Sequence, residues 1–203
     1  FLLSAGPAAA IITQVASLAG LTQGPYTVED FEDDVFVAGA TFDSTSGTVR
    51  GTSGTFSGFV TSSGTFGLTT EIFPDPISIT FASPTSSVGL FFGNDDTCCA
   101  SVFDANLDIF DAGGLIGTVS VTANMNDFAD QFIGFVSDEL VTSVVIRYGS
   151  GSDVGLFTFI DDVRFNVAES VSVPEPATLA LLGAGLFGVG WAQRRRKAIA
   201  SQH

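Results

Sequence analysis

Apolar and polar residues alternate in short runs along most of the chain, and turn-forming residues separate the runs. Residues 77–81 (ISITF) alternate with period two, as expected of a strand with one buried face. Residues 88–92 (VGLFF) are a buried-type run. Leu107-Asp108-Ile109-Phe110 leads into Asp111-Ala112-Gly113-Gly114, a turn whose residues accept positive φ. Residues 115–123 (LIGTVSVTA) alternate on its far side and complete a predicted hairpin. Runs at 132–136, 141–148 and 157–165 follow. A spacing of about ten to fifteen residues, without a long amphipathic helix, predicts an all-β body: an antiparallel β-sandwich of jelly-roll type.

Residues 41–70 are rich in Gly, Ser and Thr. Ser46-Gly47-Thr48, Ser53-Gly54-Thr55 and Ser63-Gly64-Thr65 are offset by seven and then ten residues, so no fixed-period repeat is present. Phe56, Phe59, Val60, Phe66 and Leu68 need burial, which predicts irregular or edge strands joined by loops.

The pattern changes near the carboxyl end. Residues 177–192 (ATLALLGAGLFGVGWA) carry no charge. A helix of that length spans about 24 Å, slightly short of a bilayer core of about 30 Å, and arginine side chains can snorkel across the deficit. Trp191 stands at the interfacial end, and Arg194, Arg195, Arg196 and Lys197 follow at once. A buried core helix would be amphipathic, whereas this run is apolar all round. It is predicted to be a single C-terminal hydrophobic helix whose basic end stays in the cytoplasm.

Charge supports that topology. The chain has 7 Lys and Arg against 22 Asp and Glu. Up to Val173 there are three bases and 21 acids, a net of −18, and the remainder is +3. So acidic a body repels phosphate backbones, which excludes nucleic acid as a partner, and it is repelled by anionic membrane surfaces.

Val173-Pro174-Glu175-Pro176-Ala177-Thr178-Leu179, then the apolar stretch, then Arg194-Arg195-Arg196, resembles the PEP-CTERM sorting domain of Gram-negative bacteria. The resemblance implies a sorting motif at Val173, Pro174, Glu175 and Pro176 and a membrane stop at Arg194, Arg195, Arg196 and Lys197. It also implies processing by an exosortase, transient residence in the inner membrane, and association with exopolysaccharide and biofilm. Pro174 and Pro176 disfavour helix and hold the strip extended, where a protease must grip backbone. Residues 1–10 (FLLSAGPAAA) resemble the end of a secretory signal peptide, with cleavage expected after Ala10. The expected organisation is a signal-peptide remnant at 1–10, a sandwich body at 11–170 and a sorting segment at 171–203. Within the body, VFDAN, IFDAGGLIGTVSV, FIGFVSDELVTSVVIRYGSG and FTFIDDVRF (about residues 100–167) are similar to the lectin-like jelly-roll bodies common among PEP-CTERM proteins.

Candidate chemistry in the body is sparse. The only histidine is His203, so no Ser-His-Asp or Cys-His pair can form there. The expected class is therefore non-enzymatic, with a two-carboxylate glycosidase open in principle because acidic pairs are so numerous. Cys98 and Cys99 are adjacent, which is neither metal-ligand spacing nor a C-x-x-C redox pair. They read as two thiols, a ring disulfide between neighbours, or a crosslink to another chain. Asp104, Asn106 and Asp108 match three positions of an EF-hand loop. Ile109 and Leu115 then replace the required Gly and Glu, so the loop fails. A better calcium hypothesis pairs the ends of the body: Glu29, Asp30 and Glu32, beside Asp33 and Asp34, with Asp161 and Asp162. A structural Ca²⁺ there would relieve the repulsion of clustered carboxylates. Tyr26, Tyr148 and some of the 20 Phe could stack on sugar rings if exposed, although most Phe fall at inward strand positions. The expected function is an exported, non-enzymatic protein of the outer surface or extracellular matrix. The alternative is a carbohydrate-binding, lectin-like module with a structural calcium ion and extracellular polysaccharide as partner.

Overall fold

β-Branched and aromatic residues at alternate positions build ten strands among the described residues. The structure is a computed structural model that describes residues 9–51, 60–150 and 154–167. The chain divides into two units, Phe1–Ala168 and Glu169–His203. The sorting motif, the predicted hydrophobic helix and the basic run all fall in the second unit and lie outside the described residues, as do Phe56, Phe59 and all but the last two residues of the predicted leader. No helix among the described residues is long and apolar enough to cross a membrane.

The strands are β1 (Ile12–Val15), β2 (Tyr26–Glu29), β3 (Ala40–Asp43), β4 (Thr48–Gly51), β5 (Gly67–Thr70), β6 (Ile77–Gly93), β7 (Asp104–Asp111), β8 (Gly114–Thr122), β9 (Gln131–Tyr148) and β10 (Phe159–Asn166). All pair antiparallel. The long strands β6 and β9 form the spine. At one end of this ribbon, Ile77 faces Ile146, β3 flanks β6, and β7 flanks β9 with β8 outside it. At the other end Phe92 faces Gln131, β1 flanks β9 and β10 flanks β6. Beyond β10 lie β2 beside its second half and β5 beside its start, with β4 outermost.

Between the two ends the register shifts at Thr80, Thr85 and Ser87, and residues 82–84 and 138–140 are exposed. The ribbon bends there and converts one continuous hydrogen-bonded sheet into the two layers of a sandwich. Pattern reading splits each long strand in two, because Pro84 and the polar run Ser137-Asp138-Glu139 look like loops. Both breaks instead fall at the same bend, with Thr85 opposite Val141.

One core fills the sandwich. Ile77, Ile79, Leu107, Ile109, Val144 and Ile146 from one layer meet Val88, Leu90, Phe92, Ile133, Phe135 and Phe165 from the other. Burying each such side chain contributes about 1.5–3 kcal/mol. Tyr148 is also inside, its hydroxyl donating to the Gly93 carbonyl and accepting from the Phe159 amide, and so joining the ends of β6, β9 and β10. The predicted hairpin forms as read: Asp111 Oδ1 accepts from the Gly113 and Gly114 amides at 2.7 and 2.8 Å, and Gly114 takes φ 130°. Asp104, Asn106 and Asp108 stand on β7 and accept from the hydroxyls of Thr122, Ser120 and Thr118 on β8. They form a cross-strand polar ladder.

Candidate functional site: a groove between two clasped loops

The acidic runs singled out from the sequence do meet at the fold level, since β2 pairs with β10 and Glu29 lies opposite Val163. Their carboxylates nevertheless do not converge on a common point. Glu29 is buried and accepts from the amides of Phe31 and Val37, shaping the β2–β3 loop. Asp30 accepts from the Glu32 amide, and Asp33 from the Val35 amide. Asp34 pairs with Arg50, whose guanidinium also lies 4.1 Å from the Phe66 ring centre. Glu32 Oε1 accepts from the amides of Thr65 and Phe66, both at 2.7 Å; Gly64, at φ 57°, permits this approach, and a side chain there would run into the Glu32 carboxylate. Asp161 is fully buried. Its Oδ2 accepts from the Ser62 amide (2.8 Å), the Ser62 hydroxyl (2.7 Å) and the Ser63 amide (3.2 Å), and its Oδ1 from the Asp162 amide (2.8 Å). Asp162, at φ 49° in a β-bulge, accepts from the same Ser62 hydroxyl at 3.0 Å and pairs with Arg164 at 3.5 Å. The five expected calcium ligands are thus not brought to one point: Glu29 and Asp30 hold their own β2–β3 loop, Glu32 holds 65–66, and Asp161 with Asp162 holds 62–63. Their charge is met by backbone N–H groups, the Ser62 hydroxyl and Arg164.

A second loop, residues 123–130 between β8 and β9, is held by Asp95. This fully buried carboxylate accepts from the amides of Met125 (3.0 Å) and Asp127 (3.2 Å), both at positive φ. Asp130 accepts from the side-chain amides of Asn124 (2.9 Å) and Asn126 (2.8 Å). The loops are joined where the Ala129 amide donates to the Val60 carbonyl at 2.7 Å, beside a parallel bridge between Val60 and Phe128. Between them opens a groove of about 430 Å³, lined by apolar Leu18, Val60, Phe91 and Phe128 together with polar Ser62, Asp130 and Asp162. Sequence reasoning missed this site. Phe128 sits in a stretch (ANMNDFAD) that shows no strand period; its high density of Asn and Asp, the residues that tolerate positive φ, was the available signal.

Cys98 and Cys99 are exposed and joined to each other in a disulfide, which selects one of the three readings. Among the described residues the one three-ligand grouping is Asp96 with these two sulfurs, which are already bonded to each other. Tyr148 is buried and cannot serve as a sugar platform, and the Tyr26 hydroxyl is hydrogen-bonded to Ser87 at 2.9 Å.

The clasps leave a titration signature. Burial pushes Asp127 up to about 6, with help from the charges of Asp96 and Asp95. It pushes Asp161 to about 6 against the opposing hydrogen bonds from Ser62 and Ser63. Asp95 is also raised, by burial first. A carboxyl raised above its ordinary value of 3.8 binds more protons folded than unfolded between about pH 4 and 6, so stability falls as pH rises through that window. Asp108 runs the other way: burial raises it, but the Arg147 and Thr118 hydrogen bonds outweigh burial and hold it low, so its contribution is lost in strong acid. The melting temperature is therefore expected to be a few degrees higher at pH 5 than at pH 7.5. Asp127→Asn should reduce that difference, which separates the local effect from the general relief of negative charge. An equal or larger difference in the variant would refute the assignment.

Residues 172–196 match the PEP-CTERM protein-sorting motif. No curated protein matches the chain in sequence. Among solved structures, the chain is similar to the catalytic domain of a GH87 alpha-1,3-glucanase in complex with tetrasaccharides (13% identity, TM-score 0.43), covering 75% of this chain and 30% of that one. A second structure of a GH87 alpha-1,3-glucanase catalytic domain, in complex with nigerose, is similar at 14% identity and TM-score 0.43 with the same coverage. The chain thus spans 30% of the length of each of these glucanase chains. It is also similar to the CBM22-1 xylan-binding domain of Xyn10C from Paenibacillus barcinonensis (11% identity, TM-score 0.42), covering 71% of this chain and 95% of that one. The body is an all-β antiparallel sandwich, and its sorting motif marks an exported protein that is anchored in the membrane before an exosortase processes it.

Proposed function

We propose that this is a non-enzymatic protein of the cell surface or extracellular matrix of a Gram-negative bacterium, released by an exosortase and retained among exopolysaccharide in a biofilm. The match at 172–196, which contains Pro174-Glu175-Pro176, the apolar run and the arginines, carries the reading. Two features favour a binding or structural role over catalysis. The sole histidine, His203, lies outside the body, and the groove carboxylates Asp130 and Asp162 are held as positioned acceptors by Asn124, Asn126, Ser62 and Arg164. The strong negative charge of the body disfavours nucleic acid and anionic polymers as partners.

Replacing Pro174, Glu175 and Pro176 with alanines is expected to leave unprocessed precursor in the inner membrane and to deplete the protein from the matrix fraction, as read by immunoblotting of cell fractions. Unchanged processing and delivery would defeat the sorting half of the proposal. Wild-type protein that is processed but recovered free in the medium, with none in the polysaccharide fraction, would defeat the matrix half.

A further inference from the structure

We infer that the groove between the two clasped loops binds an uncharged hexose unit of a polysaccharide; this rests on the matrix reading above and gives it a site. A sugar ring is amphipathic: its C–H face is apolar, and its rim carries hydroxyls that donate and accept hydrogen bonds. The groove offers both kinds of surface. Phe128 is 46% exposed and makes no ring-on-ring contact among the described residues, so its face is free to stack. Phe73 is comparably exposed, but its ring packs on Phe157 at 5.0 Å between centres, outside the groove.

Asp130, Asp162 and Ser62 line the same groove. Each carboxylate oxygen has about two acceptor sites, so the bonds from Asn124 and Asn126 to Asp130, and from Ser62 and Arg164 to Asp162, leave capacity for two neighbouring sugar hydroxyls. Those same bonds fix the acceptors in place before the ligand arrives, which lowers the ordering cost of binding. No Lys or Arg lines the groove and Arg164 is paired with Asp162, so Asp130, without a cationic partner among the described residues, repels uronate or sulfate groups and the preferred unit is neutral. A volume of about 430 Å³ lies in the range of roughly 300–1,000 Å³ usual for small-ligand sites. The opening to solvent suits one or two units of a longer chain.

The test uses the 203-residue chain in detergent micelles, titrated calorimetrically with neutral tetrasaccharides of glucose, mannose and galactose and with tetragalacturonate. At least one neutral hexose tetramer is expected to bind with Kd of about 10 μM to 1 mM, and tetragalacturonate at least about tenfold more weakly. Phe128→Ala should weaken binding at least about tenfold, Phe128→Trp should retain it, and Phe73→Ala should leave it unchanged; circular dichroism melts confirm that each variant is folded. Binding that survives Phe128→Ala, or equal binding of the galacturonate, overturns the inference. Absence of binding by a wild-type protein that is still retained in the matrix fraction overturns the groove and spares the matrix reading. Saccharide binding by a protein never found in the matrix does the reverse.

Discussion

Asp161→Ala is expected to cost about 3 kcal/mol of folding stability, and to free the segment that closes the groove. The change removes the fully buried acceptor of the Ser62, Ser63 and Asp162 amides, and leaves the Ser62 hydroxyl with Asp162 as its remaining acceptor. A buried donor left without a partner costs about 1–3 kcal/mol. Ser63 is exposed and can turn to water, which keeps the total below the sum for four lost bonds. The wild-type carboxylate is itself held in an unfavourable place, as its rise to about 6 shows, and its removal offsets part of the loss. Asp161→Asn separates the two contributions. It relieves the charge and keeps one acceptor, but turns an N–H₂ group toward a donor cluster, so it should cost less than alanine and show a weaker dependence on pH. Urea denaturation at pH 7.5 measures both. An alanine variant within about 0.5 kcal/mol of wild type would show that the 60–66 segment is not held by this clasp.

The sandwich was legible in the sequence wherever burial is one-sided and periodic. Strands β6 to β10 were each read from alternation or from continuous apolar runs, and the Asp111 turn was read from its residues. The short strands β1 (ITQV) and β2 (YTVE) were missed, since four residues carry too little period to stand out and both are held by partners over 100 residues away. The bend shared by β6 and β9 was also hidden, because a bent strand and a loop use the same exposed polar residues.

The carboxylates were legible as clusters but not in their roles. A run such as Glu29-Asp30-Phe31-Glu32 has the same composition whether it gathers a cation or caps backbone amides, and only the loop that closes over it decides. The acids that shape the groove are Asp95, Asp130 and Asp162, and the first two were never candidates. Their function depends on β6 ending beside the β8–β9 loop, a long-range pairing that no local spacing encodes.

That junction makes Gly93→Ala the other substitution with a large expected effect. Gly93 ends β6 and pairs with Phe159 of β10. A Cβ there would lie 2.6 Å from the Ala129 nitrogen, 2.7 Å from the Phe128 carbonyl carbon and 2.8 Å from the Ala129 Cα, all backbone atoms. Neither side can retreat cheaply. The Gly93 carbonyl is tied to the buried Tyr148 hydroxyl, and the Ala129 amide is tied to Val60. Overpacking of this kind costs about 1–3 kcal/mol, and breaking the Ala129–Val60 bond adds about 1 kcal/mol. The expected fall in melting temperature is about 6–12 °C for a domain of this size. Gly113→Ala is the control: the nearest atom to its Cβ is a side-chain oxygen of Asp111 at 3.2 Å, and its cost should stay near 1 kcal/mol or less. Hydrogen exchange at Ala129 tells how Gly93→Ala is accommodated. Faster exchange there, with the rest of β9 still protected, means that the loop has lifted and the groove has lost its Phe128 wall. A stable Gly93→Ala variant with an undisturbed Ala129 amide would show that the loop does not rest on β6, and the groove would have to be redrawn.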